Sequence, residues 1–281
     1  MSIQWFPGHM TRAKREMQER LKMVDMVIEC RDARIPMASI NPLIFELAKD
    51  KPKLIVLSKL DMSDPKATAE WMKQLSSENT VVLALDLLND DTRKKVVDGC
   101  LLVMKPKFER WKARGIGARK IKAMVVGIPN VGKSTLINQL AKKKVMTTAD
   151  RPGVTMSLKW ANVHPQLDLL DTPGVLWPKF DDPKTGIHLA LAGSISEKVL
   201  PIDELAYIAF DFVLKHYPDA FKTRYEYLGT DPKEFFEHIC KLRLYIKKDE
   251  LQIEQAYNTF LRELKQGTLG PMSFEYVQDM A

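Results

Sequence analysis

The chain has little cysteine. Only Cys30, Cys100 and Cys240 occur in 281 residues, far apart and odd in number, which excludes both a disulfide framework and a thiolate metal cluster and fits a reducing compartment. Long apolar runs are missing too: no uninterrupted stretch approaches the roughly 18 residues a membrane-spanning helix needs. The opening, MSIQWFPGHMTRAKREM, lacks the apolar centre of a secretory signal. A soluble, cytoplasmic chain with no membrane partner is expected. There is no low-complexity tract and no internal repeat. With 45% apolar and 28% charged residues, nothing is forced to be disordered, and the length suits two domains, since one core usually serves about 100 to 200 residues.

What is present is an uneven charge. Residues 1–196 hold 32 Lys and Arg against 21 Asp and Glu, whereas residues 197–281 hold 11 against 15. The densest basic stretch is 105–122, with eight cations opposed only by Glu109. Clustered Lys and Arg suit a polyanionic partner, because they neutralise phosphates and release counterions. The same run also reads as a solvated linker helix.

Apolar, β-branched runs bounded by turn residues predict strands over 24–30, 53–58, 80–86, 122–127, 157–163 and 167–171. Helical periodicity falls between them over 41–49, 65–76, 92–104 and 133–143. Alternation of this kind predicts a mostly parallel sheet covered on both faces. The fifth and sixth strands are too close for a crossover, so a hairpin is expected there. Beyond Pro201 the alternation stops. Helices are predicted over 201–216, from Pro232 behind an Asp231 cap to 243, and over 249–266 before Gly267. The fold expected is α/β with a six-stranded sheet, followed by an all-α bundle.

The run Gly127-Ile-Pro-Asn-Val-Gly132-Lys133-Ser134 follows a strand and opens a helix, the context a phosphate-binding loop requires. Its backbone amides and the helix dipole suit a β-phosphate. Asn130, Val131, Gly132, Lys133, Ser134 and Thr135 are the nucleotide-binding candidates here, with Lys133 as the point charge on the β- and γ-phosphates and Ser134 a hydroxyl ligand for magnesium. Asp171, at the end of an apolar strand, is a second magnesium candidate, and Gly174 can offer its N–H to the γ-phosphate. Thr155, between the two motifs, is a third magnesium candidate on a switchable loop. The Asn130 side-chain carbonyl suits a potassium ion shared with phosphate oxygens, or simply caps the loop.

A phosphate loop does not choose a base. Ser58-Lys59-Leu60-Asp61 ends another apolar strand, and one carboxylate there accepts from both the ring N–H and the exocyclic amine of guanine. Asp61 is the candidate, with the stem of Lys59 along the base. This makes GTP the expected substrate. An ATP-dependent kinase and an RNA-binding module on a relic nucleotide fold are the alternatives; the first leaves 58–61 unexplained, the second leaves Lys133, Ser134 and Asp171 unexplained.

The base-reading motif precedes the phosphate loop by about seventy residues, the reverse of an ordinary G domain, and a cyclic permutation relocates termini without altering the sheet. With Trp5-Phe-Pro-Gly-His9-Met10, Asp32-Ala-Arg34-Ile-Pro36 and Leu176-Trp-Pro178, the whole chain resembles the circularly permuted ribosome-biogenesis GTPases, the ribosome biogenesis GTPase A (YlqF) family. The resemblance implies a permuted G domain over 1–185, with a base-reading half 24–104, a basic joint 105–122 and a phosphate half 123–180, then a helical domain over 186–281. It also implies work in late maturation of the large ribosomal subunit, contacting its precursor, rRNA and ribosomal proteins, by a protein expected to be monomeric. Val175 stands where many GTPases carry a water-orienting glutamine, so hydrolysis is expected to be slow alone and stimulated by the subunit. His9 matches the histidine proposed as catalytic in the family. Two positions depart from the usual pattern. Ser58 replaces the common Asn and removes an amide that ties the base pocket to the phosphate loop, and the 85–88 loop lacks the usual small residues.

Overall fold

The computed structural model describes residue 15 and residues 17–117, 119–142, 160–171, 182–195 and 200–280. Six strands form one sheet: β1 (Met26–Asp32), β2 (Lys53–Ser58), β3 (Thr80–Ala84), β4 (Ile121–Val126), β5 (Trp160–His164) and β6 (Leu167–Asp171), in the order β3-β2-β1-β4-β6-β5. Every pairing is parallel except β5 with β6. The expected hairpin and single antiparallel edge are thus present. Followed from β4 through β6 and back to β1, the strands trace an ordinary phosphate-loop sheet. The permutation changes only where the chain is cut.

β1 and β2 are buried along their whole length, and β4 at every position except Lys122, as a sheet covered on both faces demands. Met26 and Ile28 of β1 point into one core with Leu136, Ile137 and Cys100, while Val27 between them packs on the other face with Met17, Leu21 and Ile44. The covering helices are α1 (Pro42–Leu47), α2 (Pro65–Leu75), α3 (Thr92–Ala113) and α4 (Lys133–Ala141). Asn41 and Asp64 cap the first two with proline immediately behind, a strong start signal.

A helical region follows: α5 (Pro183–Leu191), α6 (Ile202–His216), α7 (Asp219–Tyr225), α8 (Pro232–Leu242) and α9 (Ile253–Lys265). Its centre is aromatic, with Phe210 stacked on Phe221 at 4.9 Å and Phe235 between them and Phe260. The same buried cluster takes in Cys30, Ile128 and Val131 from the sheet side. The helices therefore pack directly on the carboxyl ends of the central strands.

Several predicted boundaries move. α3 runs nine residues past the predicted end at 104, through Pro106, because Phe108 and Trp111 continue its apolar spacing and pack on the sheet core. The first half of the basic joint is therefore helix. The predicted helix over 249–266 begins only at Ile253; before it, β7 (Ile246–Lys247) and β8 (Glu250–Leu251) form a hairpin whose turn residues Lys248 and Asp249 both have positive φ. That turn is the type that suits strand twist, but Lys-Asp lacks the Asn-Gly signature that would announce it. β1 is shifted two residues onward to include the buried, paired Arg31 and Asp32, and β3 ends at Ala84 rather than at 86.

Candidate nucleotide site

The carboxyl end of β4 lies between β1 and β6, where the chain leaves the sheet in opposite directions, and open α/β sheets bind ligands at such a crevice. The phosphate-loop run occupies it. Gly127 has φ 151°, and a Cβ there would lie 2.4 Å from the Cys30 carbonyl oxygen. Gly132, with φ 89°, caps α4, and a Cβ there would meet Leu87 Cδ1 at 2.9 Å. At Gly127 neighbouring backbone occupies the place of a side chain, and at Gly132 the left-handed φ is what favours glycine. Asn130 also sits at positive φ. Ser134 and Thr135 follow in the first turn of α4, both half-buried.

Lys133 is buried and donates from Nζ to Ile128 O at 2.7 Å, within the loop itself. A lysine ammonium carries three N–H donors, so the bond to Ile128 O does not preclude charge-assisted bonds to β- or γ-phosphate oxygens.

The base-reading segment is held against this loop. Ser58 is wholly buried at the end of β2, and its hydroxyl lies 2.8 Å from Val131 O and 3.0 Å from Arg31 O. This corrects the expectation that serine loses the tie to the phosphate loop: Val131 O approaches closely enough for the short hydroxyl to make it directly. Cys30 donates to the same oxygen at 2.9 Å. Burial pushes the Cys30 thiol up to about 12, so it stays a protonated donor.

After Ser58 the chain turns through Lys59 at φ 57° into a short 3₁₀ turn that carries Asp61 on the surface. Partial desolvation, reinforced by the Asp86 carboxylate, raises the Asp61 carboxyl above its ordinary range. Asp86 lies in the 85–88 loop, where its own carboxylate accepts from the amides of Leu88 and Asn89. Leu87 of that loop packs on Gly132, which places the loop at the same crevice as Asp61 and the phosphate loop.

Lys59 Nζ is 2.8 Å from Asp32 Oδ2. Asp32 is completely buried, and Arg34 grips it through Nε and Nη2 at 3.0 and 2.8 Å. Burial alone would raise that carboxyl, but the Arg34 guanidinium and the Lys59 ammonium hold it well below the usual carboxylate range. Arg34 also donates to Ala192 O after α5 at 2.7 Å and to Lys265 O at the end of α9 at 2.9 Å. Nearby, Asn130 Nδ2 donates to Gly193 O at 3.3 Å. Both halves of the site are therefore anchored to one corner of the helical region. Sequence reasoning used Asp32 and Arg34 only as marks of resemblance, and it missed Cys30; an Asp-x-Arg directly after a buried strand was the available signal.

The structure brings Ser58 against Val131 and Gly132 of the phosphate-loop run, with Lys133, Ser134 and Thr135 following in α4 and Asp61 on the turn after Ser58. Asp171 closes β6, its Cα in register with Val125 of β4; its side chain, and His9, Thr155 and Gly174, lie outside the described residues. Among the described residues no group of three or more His, Cys, Asp or Glu is placed to hold a metal ion, and no helix is long and apolar enough to cross a membrane.

A phosphate-loop run at the switch point of this sheet, with a Ser-Lys-Leu-Asp turn after β2 and the strands in permuted chain order, marks a P-loop GTPase whose domain is circularly permuted. Residues 122–220 match the family model described as 50S ribosome-binding GTPase. The chain is 43% identical over 278 residues to ribosome biogenesis GTPase A of Bacillus cereus, covering 98% of this chain and 94% of that one. With its Bacillus pumilus counterpart it shares 40% over 278 residues, 98% and 99% of the two chains. The crystal structure of GNP-bound YlqF from T. maritima superposes with a TM-score of 0.67 at 26% identity, over 94% of this chain and 98% of that one. The chain belongs to the ribosome biogenesis GTPase A family.

Proposed function

We propose that this chain binds and hydrolyses GTP as an assembly factor in late maturation of the large ribosomal subunit, engaging the precursor particle, its rRNA and ribosomal proteins according to the nucleotide held. The observation that carries the reading is the anchoring of both halves of the site to the helical region, through Arg34 to Ala192 and Lys265 and through Asn130 to Gly193. A change at the phosphates then biases how the helices sit, which is the arrangement a nucleotide switch requires. The names of the relatives, ribosome biogenesis GTPase A, supply the particle. The division into a permuted G domain over 1–185 and a helical domain over 186–281, a monomeric state and a cytoplasmic location belong to the same proposal.

Magnesium fits the residues present. Ser134 heads α4 and Asp171 ends the strand beside β4, two hard oxygen donors of the kind magnesium takes alongside phosphate and water. With Thr155 they would hold the ion, which supplies neutralisation of charge on the phosphates. The chain's own groups do the rest: the loop amides and Lys133 hold the phosphates, Asp61 accepts from guanine, Gly174 offers an amide to the γ-phosphate, and His9 orients the attacking water. Asn130 Oδ1 would be the protein ligand of a potassium ion, which would add positive charge at the phosphates. Hydrolysis is slow alone and accelerated by the subunit.

Cosedimentation with large subunits tests the proposal. Binding is expected to be tightest with a non-hydrolysable GTP analogue and weaker with GDP. Equal binding in both states would overturn the nucleotide dependence.

A further inference from the structure

The nucleotide candidates all follow the carboxyl ends of strands, but the basic joint lies at the opposite edge of the sheet. Asp25 precedes β1, Pro52 precedes β2, Asn79 precedes β3 and Lys120 precedes β4, and the carboxyl end of α3 arrives beside them. Trp111 on α3 forms a ridge there between two grooves. One, of about 760 Å³, runs along Phe108, Lys112, Ile116, Arg119 and Lys120 to the β5–β6 turn. The other, of about 520 Å³, runs along Lys107, Arg110 and Arg114 to Lys51. A strand of five or six residues spans about 17–20 Å, so this edge is separated from the candidate phosphate site by the length of the strands.

The charge here is in excess. The buried Asp25 carboxylate is the counterion at the base of the ridge; Arg119 Nη2 and Lys107 Nζ reach it at 2.7 and 3.3 Å, and Lys51 Nζ caps the neighbouring Val24 carbonyl at 2.8 Å. Burial, then the nearby Lys107 charge, lowers the Lys51 ammonium. Arg110, Lys112 and Arg114 stand exposed around this group. The Arg119 guanidinium lies 4.3 Å from the Trp111 ring centroid, with Lys107 Nζ at 5.2 Å. Half of the Arg119 side chain remains exposed, at 52%. A guanidinium backed by an indole and open on its outer side is a platform on which a base stacks.

We infer that the Trp111 ridge with its two basic grooves is an RNA-binding face, taking phosphates on Lys112, Arg114 and Arg110 and an unpaired base on Arg119. An acidic polypeptide would meet the charge, but its carboxylates carry no aromatic plane for the stack, whereas every nucleotide brings a phosphate and a base together, so RNA is the occupant favoured. The inference rests on the ribosomal reading above and adds where the RNA sits. Because the face is a strand length away from the phosphates, both nucleotide states carry it.

The test uses the full chain, a fluorescein-labelled single-stranded RNA of mixed sequence, polyglutamate as the anionic control, and large subunits. Lys112→Glu with Arg114→Glu, one exposed cation from each groove, is expected to lower RNA affinity about tenfold or more and to flatten its salt dependence by about one unit of slope for each phosphate that is no longer neutralised. Basal GTP turnover stays unchanged. Arg119→Lys keeps the charge and loses the plane, so affinity falls about fivefold with the salt slope retained. RNA affinity unaltered in the double variant would overturn the inference, as would wild-type binding of polyglutamate as tight as that of RNA. So would loss of subunit binding with RNA binding intact, which would assign the face to a ribosomal protein. Equal subunit binding with GTP analogue and GDP would instead strike the proposed nucleotide dependence and leave this face standing.

Discussion

Asp32, the last residue of β1, and Arg34, in the turn that follows, form a wholly buried pair through both carboxylate oxygens, Nε to Oδ1 at 3.0 Å and Nη2 to Oδ2 at 2.8 Å. The pair stands between Lys59 of the base-reading turn and the Ala192 and Lys265 carbonyls of the helical region. A buried pair of this kind contributes orientation more than net stability, but losing one partner strands the other.

Arg34→Ala is accordingly expected to cost about 3–5 kcal/mol of stability near neutral pH, read by urea unfolding. The pH dependence has a definite sign. The folded Asp32 carboxyl is depressed, so its contribution is fully present above the unfolded value of about 3.9 and is lost as pH falls through the folded value. The gap between wild type and variant should therefore persist from about pH 7 to about pH 4 and narrow below that. A gap that grows on acidification would contradict the role given to the pair.

If Asp61 reads guanine as proposed, it must be ionised to accept two hydrogen bonds, and its carboxyl is raised, by desolvation and then by Asp86. GTP binding should therefore weaken on acidification at a higher pH than for an ordinary carboxylate. Asp86→Asn keeps an oxygen for the Leu88 and Asn89 amides and removes the like charge. Affinity at about pH 5 should rise roughly twofold to fivefold, with little change at neutral pH. Asp61→Asn should move preference from GTP to xanthosine triphosphate, whose ring carbonyl needs a donor. Competition titrations across pH check both, and equal loss of both nucleotides in Asp61→Asn would make Asp61 structural.

The parts of the site written as contiguous motifs were legible in the sequence, because a phosphate loop and a base-reading turn each need fixed residue types within a few positions of a strand end. The sheet was legible because burial on both faces leaves apolar runs at the centres of β1, β2 and β4, Met26–Ile28, Leu54–Leu57 and Ala123–Val126. What escaped depends on partners distant in the chain. Ser58 meets Val131 O across 73 residues and Arg34 meets Lys265 O across 231, and no local pattern encodes such pairings. The extension of α3 escaped because Pro106 reads as a stop, yet the packing of Phe108 and Trp111 beyond it outweighs one missing backbone bond.

Val175 cannot hydrogen-bond to water, so the group that orients the nucleophile must come from elsewhere, and His9 is the candidate. His9→Ala should leave GTP binding and subunit binding intact while subunit-stimulated turnover falls about 10²-fold to 10⁴-fold, the usual worth of general-base help. Single-turnover assays with and without subunits separate this from a docking role, in which subunit binding itself would fall. Stimulated turnover at the wild-type rate would remove His9 from the chemistry.

Asn130 has two chemically different ends. Its Nδ2 donates to Gly193 O, which leaves Oδ1 as the end available to a monovalent cation beside the phosphates. The two functions separate by substitution. Asn130→Ala removes both, so turnover should lose its preference for potassium over sodium and the link to the helical region together. Asn130→Asp keeps an oxygen ligand but has no donor for the Gly193 carbonyl; potassium stimulation should survive, while the difference in subunit affinity between GTP analogue and GDP shrinks. Turnover in potassium, sodium and caesium, paired with cosedimentation in each nucleotide state, reads the two effects independently. If Asn130→Asp loses potassium stimulation as completely as Asn130→Ala, the oxygen is not a ligand and the residue serves the loop only through its amide nitrogen.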